Sequence, residues 1–278
     1  MRDNIIRFGD KEIDLSKKTY IMGILNATPD SFSDGGKYNE VDAAVKHAQE
    51  MVEHGADIID IGGESTRPGS VKVSLEEEVR RVIPIISAVR EAVDVPISVD
   101  TYKAELAKQA LEAGADIIND VWGAKADPDM ASVAAKTNAP IILMHNREDM
   151  NYGDLLDDMI ADLQESIDLC LKAGVKEENI ILDPGIGFAK TYEHNLEAMR
   201  RLDEITALGY PVLLATSRKR FIAKTLDLPV DERVEGTGAT VCLGIERGCE
   251  IVRVHDVLEI SRMAKMMDAM LNKGGHHG

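Results

Sequence analysis

The stretch GADIIDIGG, residues 55–63, combines the signals that decide the fold of this chain. Its first glycine follows a segment in which apolar residues recur at three- and four-residue spacing, as they do in an amphipathic helix that ends at glycine. Two isoleucines flanked by aspartates come next. Nearly the same letters, GADIIND, recur at residues 114–120. Both stretches therefore indicate a joint at which a helix ends and a buried strand begins.

Eight short runs of this kind are spread along the chain, each rich in Ile, Val and Leu. Such runs are typical of strands buried on both faces of a parallel sheet, and helical patterns lie between them. The sequence therefore predicts a (β/α)8 TIM barrel. A doubly wound open sheet is the alternative, because periodicity alone does not show closure. The runs are TYIMGILN (19–26), ADIIDIG (56–62), PISVDT (96–101), ADIINDV (115–121), APIILMHN (139–146), NIILDPG (179–185), YPVLLATS (210–217) and CEIVRVHD (249–256).

The first nineteen residues predict one further element, and the chain length bears on the number of domains. Residues 1–19 alternate around Gly9 and Asp10, which predicts an N-terminal β-hairpin against the N-terminal end of the barrel. The chain has 278 residues, and α/β barrels routinely exceed about 200 residues as one unit. With no linker or change of composition, residues 1–278 are predicted to form a single domain.

Charge and cysteine content limit the classes of partner. The formal net charge is −17, from 32 Lys and Arg against 49 Asp and Glu. This argues against nucleic acid or an anionic membrane as the main partner, and an anionic ligand would need a local group of cations. Three cysteines without C-x-x-C spacing, no signal-peptide core and no membrane-length apolar run predict a cytoplasmic protein.

A polar side chain stands at the end of every predicted strand. In a TIM barrel these ends form the active site. For a single Asp or Asn, capping of the next helix is the commoner explanation, but eight convergent cases weaken it. For Asp60 alone, a cap or loop anchor remains the interpretation. The set comprises Asn26, Asp60, Asp100, Asn119, His145, Asp183, Ser217 with Lys219, and Arg253 with His255.

The chemistry of three of these residues predicts recognition of a flat ring. Asp100, Asn119 and Asp183 supply acceptors and one amide, which suit a heterocycle rich in N–H and NH₂ donors. Met144 and Phe188 would add apolar, polarisable surface for such a ring, although residues of these types more often belong to a core. His145 follows Met144, so strand alternation allows only one of the two to face a ligand.

Basic side chains near the strand ends could bind an anion. A solvated face is the ordinary explanation of a charge run, and we expect it to hold in part for Arg218 and Arg220. Lys219 and Arg253 are predicted to face the barrel mouth. The spacing of His and Cys predicts no metal cage, but Mg²⁺ carried by a phosphate ligand and contacted by Asn26 is compatible with the sequence.

Several motifs together resemble the bacterial dihydropteroate synthase family of folate biosynthesis. The resemblance extends from about Met22 to Asp256, with the motifs in the family's order. It implies a (β/α)8 barrel, commonly a homodimer, that joins 4-aminobenzoate to 6-hydroxymethyl-7,8-dihydropterin pyrophosphate, releases pyrophosphate and is a target of sulfonamides. The motifs are GILNATPDSFSDGG (23–36), GGESTRPGS (62–70), PISVDT (96–101), IINDV (117–121), LDPGIGF (182–188), TSRK (216–219) and VRVHD (252–256).

The resemblance also implies roles for individual residues. Asp100, Asn119 and Asp183 would bind the donor edge of the pterin. Lys219 would reach the ring carbonyl and a ring nitrogen, and Arg253 would stack against the pterin. Met144 is an expected neighbour of the ring. The residues expected to take part in catalysis are Asn26, Phe32, Asp34, Asp100, Lys219 and Arg253.

Two further groups follow from the same resemblance. Asn26, Arg253 and His255 would hold the pyrophosphate together with Mg²⁺. Two mobile loops and Phe188 would frame the aminobenzoate pocket. The first loop contributes Phe32 and Asp34, and the second contributes Thr66, Arg67 and Pro68.

The expected mechanism is substitution at the exocyclic methylene of the pterin. Pyrophosphate leaves first or nearly so, because the dihydropterin can stabilise the resulting cation, and an arylamine needs no strong base. A methyltetrahydrofolate methyltransferase barrel is one alternative, and it would share the three ring-binding residues. Lys219, Arg253, His255 and the two long loops favour the synthase. A catalytically silent barrel is the other alternative, and the intact set of site residues argues against it.

Overall fold

The computed structural model describes residues 4–9, 11–27, 37–64 and 73–275. It confirms the eight predicted barrel strands and the hairpin before them. That residues 1–278 form one domain stays a prediction. The strands are β1 (Ile5–Phe8), β2 (Lys11–Asp14), β3 (Tyr20–Asn26), β4 (Ile58–Gly62), β5 (Ile97–Asp100), β6 (Ile117–Asp120), β7 (Ile141–Met144), β8 (Ile180–Asp183), β9 (Leu213–Leu214) and β10 (Ile251–Val254).

The eight barrel strands are all parallel and follow the order β8-β7-β6-β5-β4-β3-β10-β9. The two end strands meet through a parallel bridge between Leu182 and Val212. The amide of Leu182 also donates to the carbonyl of Pro211 at 2.8 Å. These contacts join the ends of the sheet, so the barrel prediction is confirmed and the open-sheet alternative is wrong.

Ten α-helices connect the strands and surround the sheet within the described residues. The two GADII joints lie where they were predicted, because Gly55 and Gly114 follow α1 and α3 with φ angles of 105° and 112°, a left-handed conformation that favours glycine. The helices are α1 (Lys37–Glu53), α2 (Leu75–Ala92), α3 (Ala104–Glu112), α4 (Met130–Thr137), α5 (Leu155–Ala173), α6 (Tyr192–Arg200), α7 (Leu202–Thr206), α8 (Arg220–Leu226), α9 (Val234–Glu246) and α10 (Val257–Met270).

The buried apolar residues form two clusters. The larger one fills the space between the sheet and the helices, as expected for strands buried on both faces. The smaller one joins the barrel interior to the hairpin, because Ile6, Phe8 and Leu15 pack with inward-facing strand residues such as Met22 and Ile58. The hairpin strands pair antiparallel, so this apolar end of the barrel is covered as the sequence predicted. No helix of the described residues has the length and apolar character needed to cross a membrane.

Candidate active site at the barrel mouth

Strand ends β4, β5, β6 and β10 bring charged side chains together inside the upper end of the barrel. The guanidinium of Arg253 donates from Nε to Asp60 Oδ2 at 2.6 Å and from Nη2 to Asp100 Oδ2 at 2.8 Å. The side-chain amide of Asn119 donates to the Asp60 carboxylate at 3.3 Å. Asp100 and Asn119 are also paired across neighbouring strands. The structure thus confirms that Asp100, Asn119 and Arg253 converge.

Asp60 belongs to this cluster, and its interpretation as a cap or loop anchor is wrong. Its side chain is fully buried and accepts hydrogen bonds from Arg253 and Asn119. The signal was present in the sequence, because Asp60 lies two residues after Ile58 and therefore on the same face of the strand as that barrel residue. A helix cap would instead have followed the strand.

Asp100 is a buried carboxyl group of the cluster whose pKa is raised. Burial raises the pKa of Asp100 to about 7, although Arg253 opposes this shift. One carboxylate oxygen, Oδ1, is buried and has no hydrogen-bond partner among the described residues. A buried acceptor of this kind is costly until a donor binds it. Asp100 is therefore poised to accept a hydrogen bond from a ligand.

Asp183 and Lys219 lie at the ends of β8 and β9. Asp183 is buried, and its Oδ1 accepts from the amide of Gly185 at 2.7 Å. Burial raises the pKa of Asp183 and lowers the pKa of Lys219 to about 8, and each group opposes the shift of the other. The ammonium group of Lys219 donates to the carbonyl of Ile186 and lies 4.9 Å from the centroid of the Phe188 ring. Lys219 and Phe188 thus share one wall of the mouth.

Strand alternation separates Met144 from His145 as predicted. Met144 pairs with Asp183 across the neighbouring strand and lies next to the Gly185 turn. The ring of His145 is turned to the other side, where Nε2 lies 3.0 Å from Asp162 on α5. Met144 is therefore the one of the two that remains a candidate for ligand contact.

The remaining basic side chains near the mouth fall into two groups, those on a solvated face and those next to the strand ends. Arg218 donates from Nε to Asp256 at 3.0 Å, and Arg220 is exposed, so both belong in part to a solvated face. The Nδ1 atom of His255 lies 2.8 Å from the hydroxyl oxygen of Ser217, which joins the ends of the last two barrel strands. His255 thus lies next to the segment that carries Lys219.

Asn26 ends β3 with an exposed side chain. Among the residues that the structure describes, no group of three or more His, Cys, Asp and Glu side chains could hold a metal ion. The amide oxygen of Asn26 is a hard ligand of the kind that Mg²⁺ uses when substrate phosphates supply most of its coordination. Five predicted site residues lie outside the described residues, namely Phe32, Asp34, Thr66, Arg67 and Pro68.

One buried cation beside the site was not predicted. Lys190 follows the LDPGIGF motif, and its side chain is buried with its ammonium group against the ring of His145. No local pattern distinguishes it from a surface lysine at the start of a helix. Its partner His145 directly follows β7 and contacts Asp162 on α5, and both residues are distant from Lys190 in sequence.

Comparison with known proteins agrees with this geometry. The model of the pterin-binding enzyme family matches residues 22–255. The dihydropteroate synthase of Bacillus subtilis (strain 168) is 65% identical over 275 residues, which cover 99% of this chain and 96% of that protein. Among solved structures, a Clostridium difficile dihydropteroate synthase with pteroic acid has a TM-score of 0.91 and 52% identity, and the match covers 93% of this chain and 98% of that one.

Two further solved structures match at lower identity. A Xanthomonas albilineans dihydropteroate synthase with 4-aminobenzoic acid has a TM-score of 0.92 and 38% identity, with 97% of this chain and 99% of that one covered. A Yersinia pestis dihydropteroate synthase in complex with a sulfonamide drug has a TM-score of 0.90 and 39% identity, with 96% and 99% covered. All these matches span nearly the whole barrel.

Proposed function

The chain belongs to the dihydropteroate synthase family of pterin-binding enzymes, and we propose that its barrel mouth carries out the family reaction as follows. The reaction transfers a pterinylmethyl group from 6-hydroxymethyl-7,8-dihydropterin pyrophosphate to 4-aminobenzoate and yields 7,8-dihydropteroate and pyrophosphate. The observation that carries the proposal is the buried Oδ1 atom of Asp100, which has no hydrogen-bond partner in the described part of the chain and lies beside two further acceptors, Asn119 and Asp183.

The pterin ring occupies the polar layer at the top of the barrel. Its N–H and NH₂ groups donate to Asp100, Asn119 and Asp183, which removes the cost of the unpartnered carboxylate oxygen. Lys219 donates to the ring carbonyl and a ring nitrogen. Arg253 lies against the ring while Asp60 and Asp100 hold its guanidinium group. The site therefore recognises donors on one edge of the ring and acceptors on another.

The reaction breaks the C–O bond between the exocyclic methylene and pyrophosphate, and the electron pair leaves with pyrophosphate. The amine nitrogen of 4-aminobenzoate then forms the new C–N bond and loses one proton. Carboxylates fixed near the ring stabilise the positive charge that develops on the dihydropterin. Because an arylamine is a free nucleophile at neutral pH, the site needs no nucleophile–base pair.

Cations at the mouth bind the leaving group. Arg253 and His255 hold the pyrophosphate, and Asn26 would contribute an oxygen ligand to an accompanying Mg²⁺. When bound, Mg²⁺ neutralises charge on the phosphate oxygens. The exposed position of Asn26 at the end of β3 and the hard oxygen of its amide support this assignment.

The aminobenzoate pocket lies on the side of Lys219 and Phe188. Phe32 and Asp34 of the first loop and Thr66, Arg67 and Pro68 of the second complete it, and sulfonamides compete for the same pocket. The contact between the Lys219 ammonium group and the Phe188 ring supports this side of the mouth as the place for a second aromatic ligand.

The enzyme acts as a homodimer in the cytoplasm. Helices α8 and α10 both pack against α9, and they expose large apolar side chains such as Leu226 and Met266. Exposed apolar side chains of this kind suit contact with a second copy. The three cysteines are unpaired, which suits a reducing compartment. Sedimentation analysis of the wild type and of Leu226→Glu with Met266→Glu tests the dimer, and an unchanged mass of the variant would reject this face.

A turnover assay tests the proposed function. Purified protein with Mg²⁺ is expected to release pyrophosphate only when both pterin pyrophosphate and 4-aminobenzoate are present, and a sulfonamide should compete with the latter. Methyltetrahydrofolate as a methyl donor is the control that tests the methyltransferase alternative. Absence of pyrophosphate release would reject the synthase, and pterin binding without turnover would favour the silent barrel.

A further inference from the structure

Lys190 has three hydrogen-bond partners that lie on two different parts of the barrel mouth. Its ammonium group donates to Nδ1 of His145 at 2.8 Å, and to the carbonyls of Gly185 and Phe188 at 3.1 Å each. An ammonium group has three donors, so this set uses all of them. Lys190 is 7% exposed, and burial lowers its pKa to about 7.

The His145 ring is held in the form that accepts from Lys190. Hydrogen bonds from His145 and Arg147 hold the pKa of Asp162 well below its usual range, although burial opposes them. The Asp162 carboxylate can only accept, so Nε2 of His145 carries the proton and Nδ1 has a free lone pair. Burial lowers the pKa of His145 to about 4, which keeps the ring neutral near pH 7.

The segment that Lys190 holds carries much of the site. Within residues 184–190, the amide of Gly185 binds Asp183 and the carbonyl of Ile186 binds Lys219. Gly185, Gly187 and Ala189 have left-handed φ angles of 63°, 88° and 45°. Such a backbone is costly for alanine and gains little from local preference, so contacts from outside must maintain it.

Phe188 is linked directly to the ammonium group of Lys190. Its carbonyl accepts from Lys190, and its ring contacts Lys219. Asp183 is oriented by the nearby amide of Gly185, at 2.7 Å, and does not contact Lys190 through a hydrogen bond in the described residues. Lys190 also donates to the carbonyl of Gly185, but Asp183 ends β8 and its own carbonyl accepts from the amide of His145 at 2.9 Å. Since Phe188 lies in the loop and lacks this support from the sheet, loss of the Lys190 donors would displace Phe188 more than Asp183.

We propose that Lys190, oriented by His145 and Asp162, is a positioning residue that fixes Phe188 for the binding of 4-aminobenzoate. The inference rests on the proposed function, because it concerns the second substrate of that reaction. It assigns Lys190 no contact with either substrate. It predicts that the two substrates respond differently when the ammonium group is removed.

Lys190→Met removes the donors at similar side-chain length. At about pH 6, where the wild-type lysine carries its proton, the KM for 4-aminobenzoate is expected to rise by roughly tenfold or more, since small misplacements of positioning groups have effects of this size. The Kd of pterin pyrophosphate, measured by titration calorimetry, should change less than about threefold. Lys190→Gln keeps two N–H donors and should give an intermediate KM.

Lys273→Met is the matched control. Lys273 is also largely buried and binds Thr19 and Asp268 near the opposite end of the barrel, so its removal tests the general effect of losing such a lysine. Both substrate constants should stay unchanged in this variant. Nitrogen-15 spectra of the His145 ring provide a readout that needs no activity, because the Nδ1 signal should shift in Lys190→Met while Nε2 stays protonated.

The outcomes distinguish the positioning role of Lys190 from the proposed function. An unchanged KM for 4-aminobenzoate in Lys190→Met would overturn the positioning role, and equal losses for both substrates would reduce Lys190 to a general structural residue and overturn it as well. A wild-type protein that releases no pyrophosphate would instead reject the proposed function. If Lys190→Met fails to fold, Lys190→Gln and the His145 spectrum of the wild type decide the question. An Nδ1 signal typical of a protonated nitrogen would then refute it.

Discussion

The two ends of the barrel interior are built from the same strands and differ completely in chemistry. At the lower end, apolar residues pack against Ile6, Phe8 and Leu15 of the hairpin. Two residues further along four of these strands, about 7 Å away, the same face carries a charged or amide side chain. The pairs are Ile58 and Asp60, Ile117 and Asn119, Ile181 and Asp183, and Ile251 and Arg253.

The difference shows how this fold separates stability from chemistry. Burial of the lower layer stabilises the barrel. Burial of the upper layer opposes folding, because it raises the pKa of both Asp100 and Asp183 and, among the residues that the structure describes, leaves one oxygen of Asp100 without a partner. Substitutions in the two layers should therefore have opposite patterns of effect on binding and on stability.

Asp183→Ala should give the largest effect on binding and little effect on stability. It removes the buried carboxylate that we propose accepts from the pterin donors, so the affinity for pterin pyrophosphate should fall by roughly a hundredfold or more. The melting temperature should change little, since the carboxylate is buried at a cost. Calorimetric titration and thermal unfolding measure the two quantities. A large loss of stability would show that Asp183 is mainly structural and would break the comparison.

Phe8→Ala should show the reverse pattern. It creates a cavity in the lower cluster, and the free energy of unfolding should fall by about 3–5 kcal/mol. The KM values for both substrates should stay unchanged. Urea denaturation measures the loss, and Ile13→Ala in the same hairpin is the control, because Ile13 is only half-buried and should cost less. A changed KM in Phe8→Ala would mean that the two layers are coupled.

Asp100→Asn should show, through the pH dependence of its melting temperature, how much stability the buried Asp100 carboxyl group costs. The pKa of Asp100 is raised from 3.8 to about 7, so the folded state holds a proton that the unfolded chain has lost. The wild type therefore loses stability as pH rises between about 4 and 7. Asp100→Asn lacks this loss, and its melting temperature relative to the wild type should be higher at pH 8 than at pH 4. A difference that is independent of pH would contradict the raised pKa.

Ser98→Ala should give the smallest effect. Ser98 precedes Asp100 on the same face of β5, and its buried hydroxyl oxygen has no partner among the described residues. Removal of this group should raise the free energy of unfolding by about 1 kcal/mol or less. Urea denaturation measures this change. A clear destabilisation by the alanine would indicate that the hydroxyl binds an ordered water.

The sequence was sufficient for the barrel and for most of its polar layer. Buried parallel strands are recognisable as apolar runs, and their carboxyl ends meet by topology, so Asp100, Asn119 and Asp183 could be placed together without coordinates. Asp60 was misassigned because it lies inside an apolar run, where the commoner role of a cap was given more weight than strand alternation.

Lys190 could not be found in this way. A lysine near the start of a helix has no local signal of burial, and its partner His145 lies 45 residues away. The network depends on the approach of two loops, which no periodicity describes. The roles of Phe32, Asp34, Thr66, Arg67 and Pro68 stay predictions, because these residues lie outside the described ranges.

The bridge between Leu182 and Val212 lies on the line where the two end strands β8 and β9 meet and the barrel closes, which we call the seam. Strand β9 has only two residues, and this single bridge joins it to β8 in the described part of the chain. Asp183 ends one side of the seam, and Lys219 follows the other side. Amide hydrogens along this line should exchange with solvent earlier than those between β4 and β5, which share a longer register. In the proposed complex, a pterin that binds both Asp183 and Lys219 would link β8 to the segment after β9 and so reinforce this weakly bonded part of the closed barrel.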